Sequence, residues 1–392
     1  MNGIFNGCQG ITSPGGRREF PLLSIVVPTY NRQILLVQLL QTIGVAWKNA
    51  GMEDGALEVV VSDNASTDDT WATLRKIQAE AGFLLRLNRN PVNIGFTGNI
   101  MAGFDMAQGD WIMVCGDDDE MHELGLIKIF KSLKKPRADL YCFWTESNPS
   151  HQWVSREQHI TIDELAGKYY YFPGNCGLAV ASGPLVRQAA QLLRAKEVNL
   201  STWAIMDVYG CAAALSKLPQ PICLSPEVIA RHPNHSDSTS LSSYYLFEIT
   251  HIGLIRSALN VDHCTGAGIT PKVMRYWLGG FSWVNKLWHV FRVGILNDLP
   301  NDRAETTEAA ARALKCLPKS AKPYCRAVWI LQKLPVPAGK MALFGAYLIR
   351  NPLTAFGKFR KTMIIRESNL AARKLKLADK QATGIYTSRD FT

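Results

Sequence analysis

The sequence is short of several things, and each absence narrows what the protein can be. No uninterrupted apolar run in its 392 residues approaches the roughly 18–20 needed to cross a bilayer as a helix. The first 16 residues are Gly-rich and polar, without the basic-then-apolar order of a secretory leader, so none is predicted. Nine cysteines are scattered without a CxxC pair, which argues against a disulfide framework and predicts reduced thiols in a cytosolic protein. Neither a GxxxxGK[ST] loop nor a GxGxxG fingerprint occurs, so a nucleotide would have to be held another way. Helix-turn-helix, zinc-finger and RRM-type signatures are also missing, and no nucleic-acid partner is predicted.

What is present describes an ordinary folded protein: 47% hydrophobic and 19% charged residues, enough to bury one large core or two modest ones. The net charge of +10 is unevenly placed. Residues 256–392 hold 23 Lys+Arg against 8 Asp+Glu, leaving 20 against 25 for residues 1–255. The basic excess belongs to the last third, which predicts a second region facing something anionic, such as a phospholipid surface.

The stretch that stands out is residues 109–120. An apolar strand-like run, residues 111–115, delivers Asp117, Asp118 and Asp119 to the point where the strand ends. Three adjacent acids repel one another. Two readings are open on the triplet alone: a solvated acidic turn, or a site for a hard divalent metal (Mn or Mg) holding phosphate.

Around it, strand and helix patterns alternate with short connections. Strands are predicted at residues 22–28, 57–62, 83–88 and 111–115, with helices at about 34–47, from about Thr70, and up to about Ala107; Ser66, Thr67 or Asp68 can cap the helix at Thr70. Continuous apolar strands of this kind are buried on both faces, as in a parallel sheet, and the alternation predicts an α/β fold with helices on both faces. In such sheets ligands bind beyond the carboxyl ends of the strands. The polar clusters Tyr30-Asn31-Arg32, Asp63-Asn64 and Asp117 to Asp119 all follow strands.

In these blocks, residues 24–32 (SIVVPTYNR), 60–68 (VVSDNASTD), Asn93-x-Gly95 and 116–119 (GDDD), the sequence resembles the family 2 glycosyltransferases. The blocks stand in the family's order, strongly over residues 22–145 and more loosely to about 240. The resemblance implies the GT-A nucleotide-diphospho-sugar transferase fold, a Rossmann-like, mostly parallel sheet. It implies inverting transfer of a sugar from a nucleotide-sugar donor with a divalent metal. Pro28, Tyr30, Arg32, Asp63, Asn93, Gly95, Asp117 and Asp118 would then bind the nucleotide-sugar, and Asp118 or Asp119 the metal. Many members read Asp-x-Asp-Asp, and Gly116 stands where the first acid would be, so the choice between Asp118 and Asp119 stays open. Asp63 has a second reading, a turn carboxylate capping its own loop.

Further along, residues 169–174 are aromatic and residues 175–183 small, a segment that in the family borders the donor sugar. A lone acid, Asp207, sits in an apolar helical pattern, where burial is expensive unless it has a task. Its position resembles the family's general base, with Met206 replacing the usual preceding acid. A strand over residues 227–232 leads to His235. By the same resemblance Arg231 would touch the diphosphate and His235 the phosphate or metal, an ordinary surface loop being the other reading.

The aromatic series Val273, Trp277, Phe281, Val284, Trp288, Phe291 and Ile295 lies on one helical face. Residues 358–366 and 373–376 are basic and amphipathic, a pattern that suits a helix on an anionic membrane surface; packing is the other use of such a stripe. The predicted organisation is an N-terminal segment (1–20), a catalytic domain (21–240, with a donor half to 145 and an acceptor half from 146), a mainly helical basic region (241–381) and a tail (382–392). The functional expectation is sugar transfer to a glycan or lipid-linked glycan acceptor for surface polysaccharide or lipopolysaccharide, on the cytoplasmic face of a membrane. The alternatives are a non-catalytic membrane-associated subunit and a sugar-nucleotide pyrophosphorylase.

Overall fold

The structure, a computed structural model, describes residues 20–146, 154–168, 179–201, 204–231, 247, 251–278, 282–297, 302–335, 337–339 and 341. The predicted alternation is present from the start: β1 (Leu23–Thr29), α1 (Gln33–Ala50), β2 (Leu57–Asp63), α2 (Thr70–Glu80), β3 (Leu84–Arg89), α3 (Gly95–Met106) and β4 (Trp111–Val114). Every residue of β1, β2 and β4 is buried, as expected of strands covered on both faces. After them come β5 (Glu120–Met121), α4 (Gly125–Leu133), β6 (Leu140–Thr145), β7 (Gln158–Ile160), α5 (Ile162–Lys168), β8 (Ala179–Ser182), α6 (Gly183–Ala195), α7 (Ala204–Leu215) and β9 (Ile222–Arg231).

The nine strands form one sheet in the order β3-β2-β1-β4-β8-β6-β9-β5, with β7 paired to β9 outside that path. The pairs β1–β2, β1–β4, β2–β3 and β6–β9 are parallel. Strand β8 runs antiparallel between β4 and β6. Sequence patterning treats residues 175–183 only as a small-residue segment; four residues, AVAS, are too few to show a strand period. Likewise β9 begins at Ile222 rather than at Glu227.

Two features fix the strands so that one end is free for chemistry. At the amino end, the buried Glu58 carboxylate accepts hydrogen bonds from Ser24 Oγ and from the Gln108 N–H (3.0 Å), and it pairs with Arg86. A buried charge is tolerable only when paired and hydrogen-bonded in this way. On the face of the sheet, α3 lies so close to β1 that a Cβ at Gly103 would stand 2.3 Å from Val26 Cγ1. At the carboxyl end, β1 is flanked by β2 on one side and β4 on the other. The strand order reverses at β1, the point at which ligands bind in the crevice beyond the carboxyl ends of such a sheet.

The chain divides into two compact units, residues 1–234 with 257–272, and residues 235–256 with 273–392. The first thus takes in most of α8 (Gly253–Thr265), where Ser257 and Asn260 point at Asp207. The described residues of the second are mainly helical: α9 (Thr270–Leu278) continues into it, followed by α10 (Ser282–Asn297), α11 (Asp302–Cys316), a 3-10 turn (Lys319–Ala321) and α12 (Lys322–Gln332). Within it, Arg303 Nη2 donates to the Gln332 carbonyl (2.6 Å) and Gln332 Nε2 to the Val290 carbonyl (3.3 Å). The predicted aromatic stripe is carried by α9 and α10, with Val273 and Phe291 buried; the side chains of Trp277, Phe281, Val284 and Ile295 are outside the described residues. So are the basic segments 358–366 and 373–376. No helix among the described residues is long and apolar enough to cross a membrane.

Candidate active site

The crevice is built from the loops that follow β1, β2, β3 and β4. Because β1 and β4 are neighbours in register, with Val26 opposite Val114 and the Cys115 N–H donating to the Val26 carbonyl (2.9 Å), the loop at residues 28–32 faces the acidic triplet. Thr29 Oγ1 donates to Asp117 Oδ2 (2.8 Å). Arg32 Nη1 bridges Asp117 Oδ1 (2.8 Å) and Asp118 Oδ2 (3.0 Å). The cation that the triplet requires is therefore, in part, the chain's own arginine.

The three acids differ. Asp117 is buried at 5% exposure, and burial pushes it up to about 6, with Arg32 opposing the rise and Asp118 adding to it. Asp119 turns back into its own loop, where Oδ2 accepts the Gly116 N–H (2.9 Å) and lies 3.8 Å from Cys115 Sγ. Asp118 is partly exposed, and its Oδ1 has no hydrogen bond among the described residues. Gly116 fits this arrangement, since a Cβ there would stand 2.8 Å from Asp118 Oδ1 and 3.1 Å from Asp119 Oδ2. An acid at 116 would require Asp118 to turn away.

Asp63 is fully buried and shapes the loop it ends: Oδ1 accepts the Ser66 N–H (3.1 Å), and Oδ2 faces Arg89 Nε at 3.4 Å. This is the turn-capping geometry that sequence reasoning held as its second reading. Asn31, with a φ of 52° in the left-handed region that Asn tolerates, locks the first two loops together. Its Oδ1 accepts the Thr67 N–H (2.7 Å) and its own N–H donates to Ser66 Oγ (2.9 Å). Pro28 is buried in β1 and Tyr30 is half-buried beside it.

Asn93 and Gly95 belong to an asparagine network. Asn93 Oδ1 accepts from Asn64 Nδ2 (2.7 Å) and from the Gly95 N–H (2.9 Å), and Gly95 has a φ of 76°. Beneath them Asn90 Nδ2 donates to Asn64 Oδ1 (3.1 Å) and Asn99 Oδ1 (2.9 Å), and Asn99 also takes Ser62 Oγ (2.7 Å). Asn90 and Asn99, which join Asn64 in a buried frame, and Thr29 as a partner of Asp117, were not singled out from the sequence. The signal that could have found the frame is a density of asparagines at strand ends with few loop neighbours to satisfy them.

On the other side, Asp207 lies in the first turn of α7 with no exposure. Its Oδ2 accepts the Ser201 N–H (2.6 Å) and Asn260 Nδ2 (3.2 Å). Burial pushes it up to about 6, against the hydrogen bonds from Ser201, Ser257 and Asn260. Its Oδ1 and the Ser257 hydroxyl both lack a hydrogen bond of ordinary geometry among the described residues, so the effect of Ser257 is one of proximity. Thr97 Oγ1, near the start of α3, donates to the Ser201 carbonyl (3.4 Å), linking the Asp207 loop to the asparagine side of the crevice. Arg231 ends β9 directly opposite Glu120, the residue after the triplet, and pairs with it (Nε to Oε2, 3.0 Å). His235 lies outside the described residues.

The family model described as Glycosyl transferase family 2 matches residues 24–194. The chain is 30% identical over 150 residues to an abequosyltransferase of Salmonella typhimurium, covering 36% of this chain and 44% of that protein. It is 35% identical over 121 residues to a GalNAc(5)-diNAcBac-PP-undecaprenol beta-1,3-glucosyltransferase of Campylobacter jejuni, covering 31% of this chain and 37% of that protein. The match therefore spans less than half the length of either relative. Among solved structures, S. aureus TarS superposes with a TM-score of 0.53 at 15% identity, over 81% of this chain and 55% of that one, a likeness of fold.

Proposed function

We propose that this chain, whose residues 24–194 are a family 2 glycosyl transferase domain of GT-A fold, moves a sugar from a nucleotide-sugar donor to a hydroxyl of a glycan or lipid-linked glycan acceptor. The activities of the Salmonella and Campylobacter relatives, an abequosyl and a glucosyl transfer, support bacterial surface polysaccharide as the setting, and with it the cytoplasmic face of a membrane as the place of work. The observation that carries the reading is the meeting of Thr29, Arg32, Asp117 and Asp118 where the order of the parallel strands reverses.

The residues fit a divalent cation. Carboxylate oxygens suit Mg or Mn, which take one or two carboxylates and fill the rest of their shell with phosphate and water. Asp118 supplies an oxygen with no partner among the described residues, while Asp119 is committed to the Gly116 N–H. Asp118 is therefore the better direct ligand, with Asp119 holding the turn. When bound, the metal supplies charge neutralisation for the departing diphosphate. Arg32 is already placed to turn from the carboxylates to a phosphate, and Arg231 stands one strand pairing from the triplet. On this reading Asp63 and Asn93 hold the loops that would border the nucleoside, with Pro28, Tyr30 and Gly95 at or beyond the ends of β1 and β3 contributing to its binding.

In the inverting reaction, Asp207 takes the proton of the acceptor hydroxyl as its oxygen attacks the anomeric carbon from the face opposite the diphosphate. A carboxylate held near 6 is still mostly ionised at neutral pH yet more basic than an ordinary one, which favours proton transfer worth roughly 10²–10⁴-fold. Among the described residues its buried Oδ1 has no hydrogen-bond donor, and an acceptor hydroxyl reaching it would be such a donor. A panel of nucleotide-sugars read by thermal shift, with and without Mn, tests the reading. A donor that raises the Tm only with Mn supports it, and no stabilisation by any donor, with no transfer to lipid-linked acceptors, would refute it.

A further inference from the structure

Away from the crevice, strands β7 and β9 bring three metal-ligating side chains together. The strands are antiparallel with His159 directly opposite Cys223, so both side chains leave the same face of the sheet. Glu157 precedes His159 by two residues and, in extended chain, shares that face. A carboxylate oxygen, an imidazole nitrogen and Sγ all lie within 4.8 Å of one another, with Glu157 Oε1 3.2 Å from His159 Nε2.

Cys223 is a free thiol with no exposure. Burial, with Glu157 nearby, pushes it up to about 12. Buried free thiols are ordinary in cores and several occur here; what sets Cys223 apart among the described residues is an imidazole nitrogen and a carboxylate oxygen together within 4.8 Å. A cation at the centre of the three would account for it.

We propose that Glu157, His159 and Cys223 form a zinc site whose fourth position is open to water. The donor set selects the metal: sulfur, nitrogen and oxygen together suit zinc, while Mg and Mn prefer oxygen alone. In a tetrahedral zinc site adjacent N and O ligands stand about 3.3 Å apart and N and S about 3.6 Å. The first spacing is nearly met by the 3.2 Å between Glu157 and His159, and the sulfur has at most about 1 Å to close. Zinc takes up the thiolate and releases its proton to solvent. One thiolate and one carboxylate against two positive charges leave the site neutral, with Cys223 on its buried side and Glu157 on its exposed side. Among the described residues strand β7 pairs only with β9 and lies outside the main path of the sheet, so the ion would act as a clip holding that strand and the α5 segment after it. This proposal does not rest on the glycosyl transfer reading.

The test is cobalt substitution of the full-length, tag-free protein after stripping with EDTA. One equivalent of Co should give the near-ultraviolet thiolate-to-cobalt band, and zinc should displace it. The band should vanish in Cys223→Ala, weaken at least tenfold in affinity in His159→Ala, and persist in a variant with both Asp118 and Asp119 changed to Ala. Zinc should raise the Tm of the wild type and leave that of His159→Ala unmoved. Should Cys223→Ala fail to fold, His159→Ala and Glu157→Gln carry the test, and unchanged cobalt affinity in both overturns the site. So does absence of a thiolate band in the wild type, or an equal band in folded Cys223→Ala, which would place the metal on other cysteines.

Discussion

Replacing Asp207 by Asn should cost activity while changing how stability depends on pH. Asp207 is raised from 3.8 to about 6, chiefly by burial. The folded protein therefore binds this proton more tightly than the unfolded chain does. The group's contribution to stability is most favourable below about pH 4, declines as pH rises through the window between about 4 and 6, and is a full penalty above it. Two pKa units correspond to about 3 kcal/mol at neutral pH, of which about 2 kcal/mol develops between about pH 4.5 and pH 8. Asparagine cannot ionise, so the variant lacks that part of the slope. It keeps one acceptor for the Ser201 N–H but loses the charge on the bonds from Ser201 and Asn260, a constant loss of about 1 kcal/mol that does not change with pH. Urea unfolding of both proteins at the two pH values isolates the difference, because other titrating groups, Asp117 among them, cancel. The variant should gain about 2 kcal/mol relative to wild type on going from acid to alkaline, and transfer should fall by roughly 10²–10⁴-fold. Equal pH dependence in the two proteins would show that Asp207 does not carry a buried charge, and unaltered transfer would remove it from the mechanism.

The other expectations follow from the division of labour in the triplet. Asp118→Ala should weaken Mn-dependent nucleotide binding at least tenfold in calorimetry, whereas Asp119→Ala should mainly destabilise, by about 1–2 kcal/mol, as the Gly116 N–H loses its acceptor; the reverse pattern moves the metal to Asp119. Gly116→Asp should lower stability by about 1–2 kcal/mol through like-charge crowding against Asp118 and Asp119, read by urea unfolding, and a stabilised variant would contradict that geometry. Arg32→Ala should raise the Asp117 pKa further, since it deletes the main influence that lowers it, and should weaken donor binding; carboxyl carbon NMR gives the first and calorimetry the second. The basic last third should bring the full-length protein down with anionic vesicles at low salt and release it at high salt, and a protein that stays in solution under both conditions would argue for packing alone.

What could be read in the sequence, and what could not, follows from how each feature is encoded. Strands β1, β2 and β4 were legible because their apolar runs are continuous and end in polar residues, a pattern that local burial writes directly into the chain. Strand β8 was not, since its four small residues are set by the tight space between β4 and β6, a tertiary constraint with no period of its own. In the site, residue types announced the chemistry, but the partners that decide each acid's state come from far along the chain: Arg32 reaches Asp117 across 85 positions and Asn260 reaches Asp207 across 53. Asp118 and Asp119 are equivalent as letters. They separate only when the turn forms, because one carboxylate is then spent on the Gly116 N–H and the other is left facing outward with Arg32 on its far oxygen. The same holds for Asp207. An acid in an apolar helix can be a surface residue or a buried one, and the deciding fact is that Ser257 and Asn260, past the end of the family match at residue 194, fold back to meet it. A chain cut at about residue 240 would keep all four family blocks, lose the Asn260 hydrogen bond to its proposed base and open Asp207 to water; because burial is the largest cause of its raised pKa, such a truncation should bring Asp207 back toward the usual carboxylate range and leave it a weaker base than in the full-length protein.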